Sequence, residues 1–141
     1  GYKVRWYCVG EGNSREEYES LIKDNKLEED FILLGATPNP YPYIKNSDIY
    51  VQTSRHEGYC LTLAEAKCLC KPIVTTNFTG AYEQIEHGIN GIIVSLNEDY
   101  IYKNVKCIID NKYVSYNFIE KLKIEAIDTR SNVNKLMSFI D

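Results

Sequence analysis

The stretch Arg55-His56-Glu57-Gly58-Tyr59-Cys60-Leu61-Thr62-Leu63-Ala64-Glu65-Ala66 decides the fold of this 141-residue chain, because it turns from strand to helix with a carboxylate on either side of the turn. Upstream of it, Asp48-Ile49-Tyr50-Val51-Gln52-Thr53-Ser54 reads as a short buried strand, and Leu61 to Leu69 reads as a helix. Glu57 then lies in the loop and Glu65 on the second helical turn. Gly58 lets a ligand approach the backbone, and the N–H groups of Tyr59, Cys60 and Leu61, free at a helix start, favour an anion such as phosphate. A carboxylate cannot serve to bind phosphate. Glu57 and Glu65 are therefore expected to accept hydrogen bonds from hydroxyls at the two ends of one extended ligand, a sugar and a ribose.

Working outward, short apolar runs alternate with helical patterns over the first hundred residues. Strands are expected near Lys3–Val9, Phe31–Leu34, Ile49–Gln52, Ile73–Thr75 and Gly91–Val94, mostly bounded by Gly or Pro. Between them, Ser14 is an N-cap candidate ahead of acidic Glu16 and Glu17, and Tyr18, Leu21 and Ile22 give that helix an apolar face. Ala36-Thr37-Pro38-Asn39-Pro40-Tyr41-Pro42-Tyr43 reads as a loop stiffened by its prolines. Strand-helix repetition of this kind predicts an α/β fold with a mostly parallel, Rossmann-like sheet covered on both faces, ligands binding at the carboxyl ends of the strands. After Leu96 the chain turns to helical segments rich in Tyr, Lys and Asn, expected over Glu98–Asp110, Val114–Ile127 and Asn132–Ile140, whose role is packing.

The length fits one domain with a core of its own. A hydrophobic content of 44% without an apolar run near the ~20 residues of a membrane span points to a globular chain. No signal peptide is visible, and a net charge of −4 argues against a nucleic-acid partner. Cys8, Cys60, Cys68, Cys70 and Cys107 show neither CxxC nor Cys/His ligand spacing, so they are expected to be small buried hydrophobes in a reducing, cytoplasmic setting.

Ser54-x-x-Glu57-Gly58-Tyr59 through Glu65-Ala66, then Lys71-Pro72-Ile73-Val74-Thr75-Thr76, Gly80-x-x-Glu83 and Asn90-Gly91-Ile92-Ile93-Val94, resemble in unbroken order the carboxyl-terminal half of a retaining GT-B glycosyltransferase of the paired-glutamate family. Val9-Gly10-Glu11-Gly12 and Phe31-Ile32-Leu33-Leu34-Gly35 extend the resemblance upstream, so that it covers residues 3 to 96. It implies that Glu57 contacts hydroxyls of the donor sugar near the reacting carbon and that Glu65 holds the ribose. The amides of Gly58, Tyr59, Cys60 and Leu61 would meet the distal phosphate, and Leu34, Gly35, Ala36 and Thr37 would line the nucleobase. Gly10 and Gly12 form either a ligand loop or a strand-ending turn. Glu83 matches a family position, or is a carboxylate in a helix's first turn. Tyr59, where the family has Phe or Tyr, is expected to pack, and His87 to lie at the surface. Cys70 departs from the pattern, standing at a helix end where the family usually has Gly.

The resemblance further implies transfer of a hexosyl unit from a nucleotide diphosphate sugar to an acceptor hydroxyl on a glycan or lipid. It implies no cofactor and no metal, there being no Asp-x-Asp motif. Residues 1–141 would then be the donor-binding domain, with 97–141 as its helical end. The family's preceding strand-helix unit and acceptor-binding domain have no counterpart in this sequence, and the isolated chain is expected to bind nucleotides weakly and to catalyse no transfer. In such enzymes the work is often done at the cytoplasmic membrane face. Two rival readings remain at this point: a non-catalytic nucleotide-sugar-binding module, and another GT-B-type enzyme such as a sugar-nucleotide epimerase.

Overall fold

The computed structural model describes residues 2–137, and the chain divides into two compact units, Gly1–Pro40 and Tyr41–Asp141. The first is a β-α-β unit. Strand β1 (Trp6–Val9) pairs in parallel with β2 (Phe31–Gly35), in register Trp6 with Phe31, and helix α1 (Arg15–Asp24) makes the crossover. The rings of Trp6 and Phe31 stack with centroids 6.2 Å apart, pinning that register. Lys3–Arg5, predicted as strand, is not, because the partner strand begins only at Phe31 and offers these residues no ladder. Ser14 stands at the N-cap of α1, yet its side chain makes no capping bond. Tyr18 and Leu21 are about half exposed, since two strands are too narrow to bury a whole helix face.

The second unit carries a three-stranded parallel sheet in the order β3 (Tyr50–Gln52), β4 (Ile73–Thr76), β5 (Ile92–Val94). Alternation along the strands sends neighbours to opposite faces. Ile73 and Ile93 pack with Leu63 and Ala66 of α3 (Leu61–Cys68), Phe78 and Ala81 at α4 (Thr79–Gln84), and Ile44 of α2 (Tyr41–Asn46). On the other face, Val74, Ile92 and Val94 pack with Ile108 of α5 (Glu98–Asp110) and Phe118 of α6 (Lys112–Met137). This is the Rossmann-like arrangement expected, parallel strands with helices on both faces. Among the described residues β1 pairs with β2 alone, and β3 with β4 alone.

Two helices differ from expectation. Helix α2 forms inside the proline-rich stretch, because Pro42 falls in the first turn, where a missing N–H costs nothing. Helix α6 is continuous from Lys112 to Met137 where two helices were expected; Thr129 Oγ1 donates to the Glu125 carbonyl 2.9 Å away and so satisfies itself within the helix. Residues 138–140 of the last expected segment lie outside the described residues. Helix α5 begins where predicted, with Asn97 Oδ1 accepting the N–H groups of Asp99 and Tyr100 at 3.0 and 3.3 Å. Of the cysteines, Cys60 is buried, but Cys68 and Cys107 are exposed. Cys68 is the last residue of α3 and Cys107 lies on the outer side of α5, away from the sheet.

Candidate functional site

Strand β3 ends at Gln52, and the chain crosses eight residues before α3 begins at Leu61 with Cys60 as its N-cap. Cys60 offers no side-chain oxygen to the helix and makes no capping bond. The N–H groups of Gly58, Tyr59, Cys60, Leu61, Thr62 and Leu63 donate to nothing among the described residues; the first bonded amide is Ala64, which donates to the Cys60 carbonyl at 3.2 Å. Such a row of donors is the arrangement in which a helix start attracts negative charge. Tyr59 is 61% exposed, so its ring does not pack as expected.

Each carboxylate of the pair is held by a hydroxyl. Ser54 Oγ donates to Glu57 Oε1 at 2.9 Å and itself accepts from Gln52 Nε2 at 2.6 Å. Gln52 Oε1 in turn accepts from the hydroxyl of Tyr50. A relay thus runs from the end of the strand outward to Glu57. Burial pushes the Tyr50 hydroxyl up to about 12, so it stays a donor throughout the physiological range. Glu65, on the second turn of α3, accepts from the Tyr41 hydroxyl at 3.1 Å, and that contact raises the Tyr41 pKa. One oxygen of each carboxylate is therefore committed to orientation, which leaves the other able to accept a further hydrogen bond.

The neighbouring β4–α4 turn completes a cavity of about 530 Å³ lined by Arg55, His56, Glu57, Gly58, Asn77, Phe78 and Thr79. Thr76 Oγ1 ties the two turns together by donating to the Ser54 carbonyl at 2.5 Å. Asn77, Phe78 and Thr79 were not singled out from sequence. The signal was their place directly after a buried strand, where parallel sheets bind ligands. Helix α4 packs beneath the turn, and Gln84 Nε2 donates to the Cys60 carbonyl at 3.2 Å. Glu83 is exposed at the fifth of the six positions of α4, not in its first turn. His87 is exposed, as expected, and its Nδ1 accepts the Ile93 N–H at 3.1 Å.

In the first unit, the two remaining groups of candidates meet each other. The Gly10 N–H donates to the Gly35 carbonyl at 2.9 Å, and Glu11 Oε1 accepts from the Ala36 N–H at 3.3 Å and from Arg15 at 3.4 Å. Gly35 sits at φ +77°, left-handed backbone that favours glycine, and a Cβ there would have to displace the flexible end of Glu11, 2.7 Å away. Gly12 has open space around it, Leu34 belongs to β2, and Thr37 Oγ1 accepts from the Asn39 N–H. Glu11, between the two glycines, is the residue that ties this corner together.

Parallel strands covered by helices, with unpartnered amides and two oriented carboxylates at the carboxyl end of a strand, define an α/β domain of Rossmann-like class. The family follows from comparison: the model of the group 1 glycosyl transferases matches residues 1–124, and the chain belongs to that family. It is 30% identical, over 87% of its length, to the N-acetylgalactosamine-N,N'-diacetylbacillosaminyl-diphospho-undecaprenol 4-alpha-N-acetylgalactosaminyltransferase of Campylobacter jejuni, of which it covers 34%. Among solved structures, a mutant of Staphylococcus aureus TarM in complex with Fondaparinux, alpha-GlcNAc-glycerol and UDP superposes with a TM-score of 0.81 at 24% identity, over 96% of this chain and 28% of that one. Anabaena Alr3699/HepE in complex with UDP-glucose gives 0.80 at 22% identity, over 98% and 42%. The chain spans about a third or less of the curated relatives it matches. The likeness to these structures shows the fold, the Rossmann-like arrangement of a GT-B carboxyl-terminal domain.

Proposed function

We propose that this domain binds the donor of a retaining glycosyltransferase, a nucleoside diphosphate hexose, for transfer to an acceptor hydroxyl. The observation that carries the reading is the turn from Glu57 to Glu65: six unpartnered amides lie between two carboxylates, each already oriented by a hydroxyl. Glu57 accepts hydroxyls of the donor sugar beside the reacting carbon, and Glu65 accepts those of the ribose. The amides of Gly58, Tyr59, Cys60 and Leu61 take the distal phosphate and stabilise the charge that grows on the departing diphosphate, with no reorganisation at the moment of reaction. The Campylobacter relative's name specifies an α-linked N-acetylhexosamine and a lipid diphosphate-linked glycan, and the TarM complex holds UDP. These support a uridine donor and a glycan acceptor on a lipid carrier.

Substituting Glu65→Ala in the protein that carries this domain removes a charged acceptor for a ribose hydroxyl. That costs about 1.5–3 kcal/mol, roughly ten- to a hundredfold in affinity for UDP-sugars. Calorimetry measures it directly. An unchanged affinity for the nucleotide would remove Glu65 from the site.

A further inference from the structure

The six-residue helix α4 contributes no group that the proposed donor site uses, yet it meets the anion-binding turn at two points. The first is Gly80. A Cβ placed there would lie 1.9 Å from the Gly58 carbonyl oxygen, 2.9 Å from that carbonyl's carbon and 3.3 Å from Tyr59 Cα. All three are backbone atoms, so no side chain can swing aside to make room. The oxygen is nearer than its own carbon by 2.9 − 1.9 = 1.0 Å, which means that the carbonyl bond points at Gly80. No cis peptide occurs among the described residues, and across a trans peptide the N–H points opposite to the C=O. The Tyr59 N–H is thereby aimed away from α4. The Tyr59 N–H has no acceptor among the described residues, and the turn around it is uncrowded: a Cβ on Gly58 would meet nothing within 4 Å, and Tyr59 is 61% exposed.

The second point is Gln84. It is 6% exposed, its Nε2 donates to the Cys60 carbonyl at 3.2 Å, and its Oε1 is the one buried side-chain polar atom without a partner among the described residues. A hydrophobic residue would fill the position without orphaning an oxygen. The amide's visible return is a bond to the N-cap of α3, which fixes the middle of the donor row.

We infer that α4 is a positioning element for the anion-binding turn, in which Gly80 sets the direction of the Tyr59 N–H and Gln84 anchors Cys60. The inference rests on the donor-binding reading above and adds two residues that touch no ligand. A Cβ at position 80 pushes the Gly58–Tyr59 peptide off α4 and turns the Tyr59 amide away from the phosphate, while leaving the ribose-binding Glu65 where it is.

The test compares two ligands that differ by one phosphate. Titration of the unsubstituted protein with UDP, GDP and ADP selects the nucleotide; with UDP, the affinities for UDP and UMP are then measured for the protein, for Gly80→Ala and for Gln84→Met. The expected result is a roughly tenfold loss of UDP affinity in Gly80→Ala with UMP affinity held within about twofold, and a smaller loss of the same selectivity in Gln84→Met. Equal losses for UDP and UMP, or none, in a folded Gly80→Ala protein would overturn the inference and leave the donor-binding reading standing. If Gly80→Ala does not fold, Gln84→Met decides by the same ratio. Failure of the unsubstituted protein to bind any of the three diphosphates would overturn the donor-binding reading itself, and the positioning role with it.

Discussion

Glu57 depends on Ser54, and Ser54 on a relay that starts at a buried tyrosine. Replacing Ser54 by Ala frees the Glu57 carboxylate to rotate, so that part of its binding energy goes into ordering it. The expected cost is about 1 kcal/mol, roughly fivefold in kcat/KM for transfer, with the fold unaffected. Rates within twofold of the parent would show that Ser54 does not orient Glu57. The Tyr50 hydroxyl, held near 12 in the folded protein against about 10 in an unfolded chain, contributes stability that is complete below pH 10 and is lost as pH rises through about 12. Tyr50→Phe removes that dependence. Between pH 10 and 12 the parent should lose on the order of 2 kcal/mol relative to the variant in denaturant titrations. Parallel losses would mean that Tyr50 titrates normally. Sequence made the spacing of Glu57 and Glu65 legible, since both lie on one turn; it could not show Tyr41 reaching Glu65 from 24 residues away.

Among the elements, the end of α3 carries visible strain. Cys70 sits at φ +53°, and the Lys71 N–H reaches the Ala66 carbonyl at 3.1 Å while the Cys70 N–H reaches Lys67 at 2.8 Å. This is the helix ending that glycine makes cheaply, retained here with a side chain that costs about 1 kcal/mol in left-handed backbone. The sequence departure at Cys70 thus leaves the turn intact and loads it with strain. Cys70→Gly should raise the thermal midpoint by about 2–6 °C, and a lower midpoint in a scan of the variant would contradict the account. All five strands were legible because each is an apolar run closed by turn residues. Helix α2 was not, because Pro38, Pro40 and Pro42 outweighed the helical spacing around Ile44. The continuity of α6 was hidden by polar Asp128-Thr129-Arg130-Ser131, which interrupts an apolar pattern without interrupting the backbone ladder.

At the level of the whole molecule, the Rossmann-like class follows from strand-helix alternation, and the family from ordered motifs spread over most of the chain. What sequence left unread is tertiary. Asn77, Phe78 and Thr79 enter the cavity only because the β4–α4 turn folds against the β3–α3 turn, and Gly80 matters only because Gly58 comes to rest on it. The central claim is that the donor's diphosphate binds the amides between Glu57 and Glu65. It is tested most directly by the amide spectrum of the ¹⁵N-labelled protein carrying this domain during titration with UDP. The account predicts downfield proton shifts at Tyr59, Cys60 and Leu61 as these unpartnered donors gain phosphate acceptors, with the amides of α5 unmoved. Saturable UDP binding that leaves those three amides in place would contradict it.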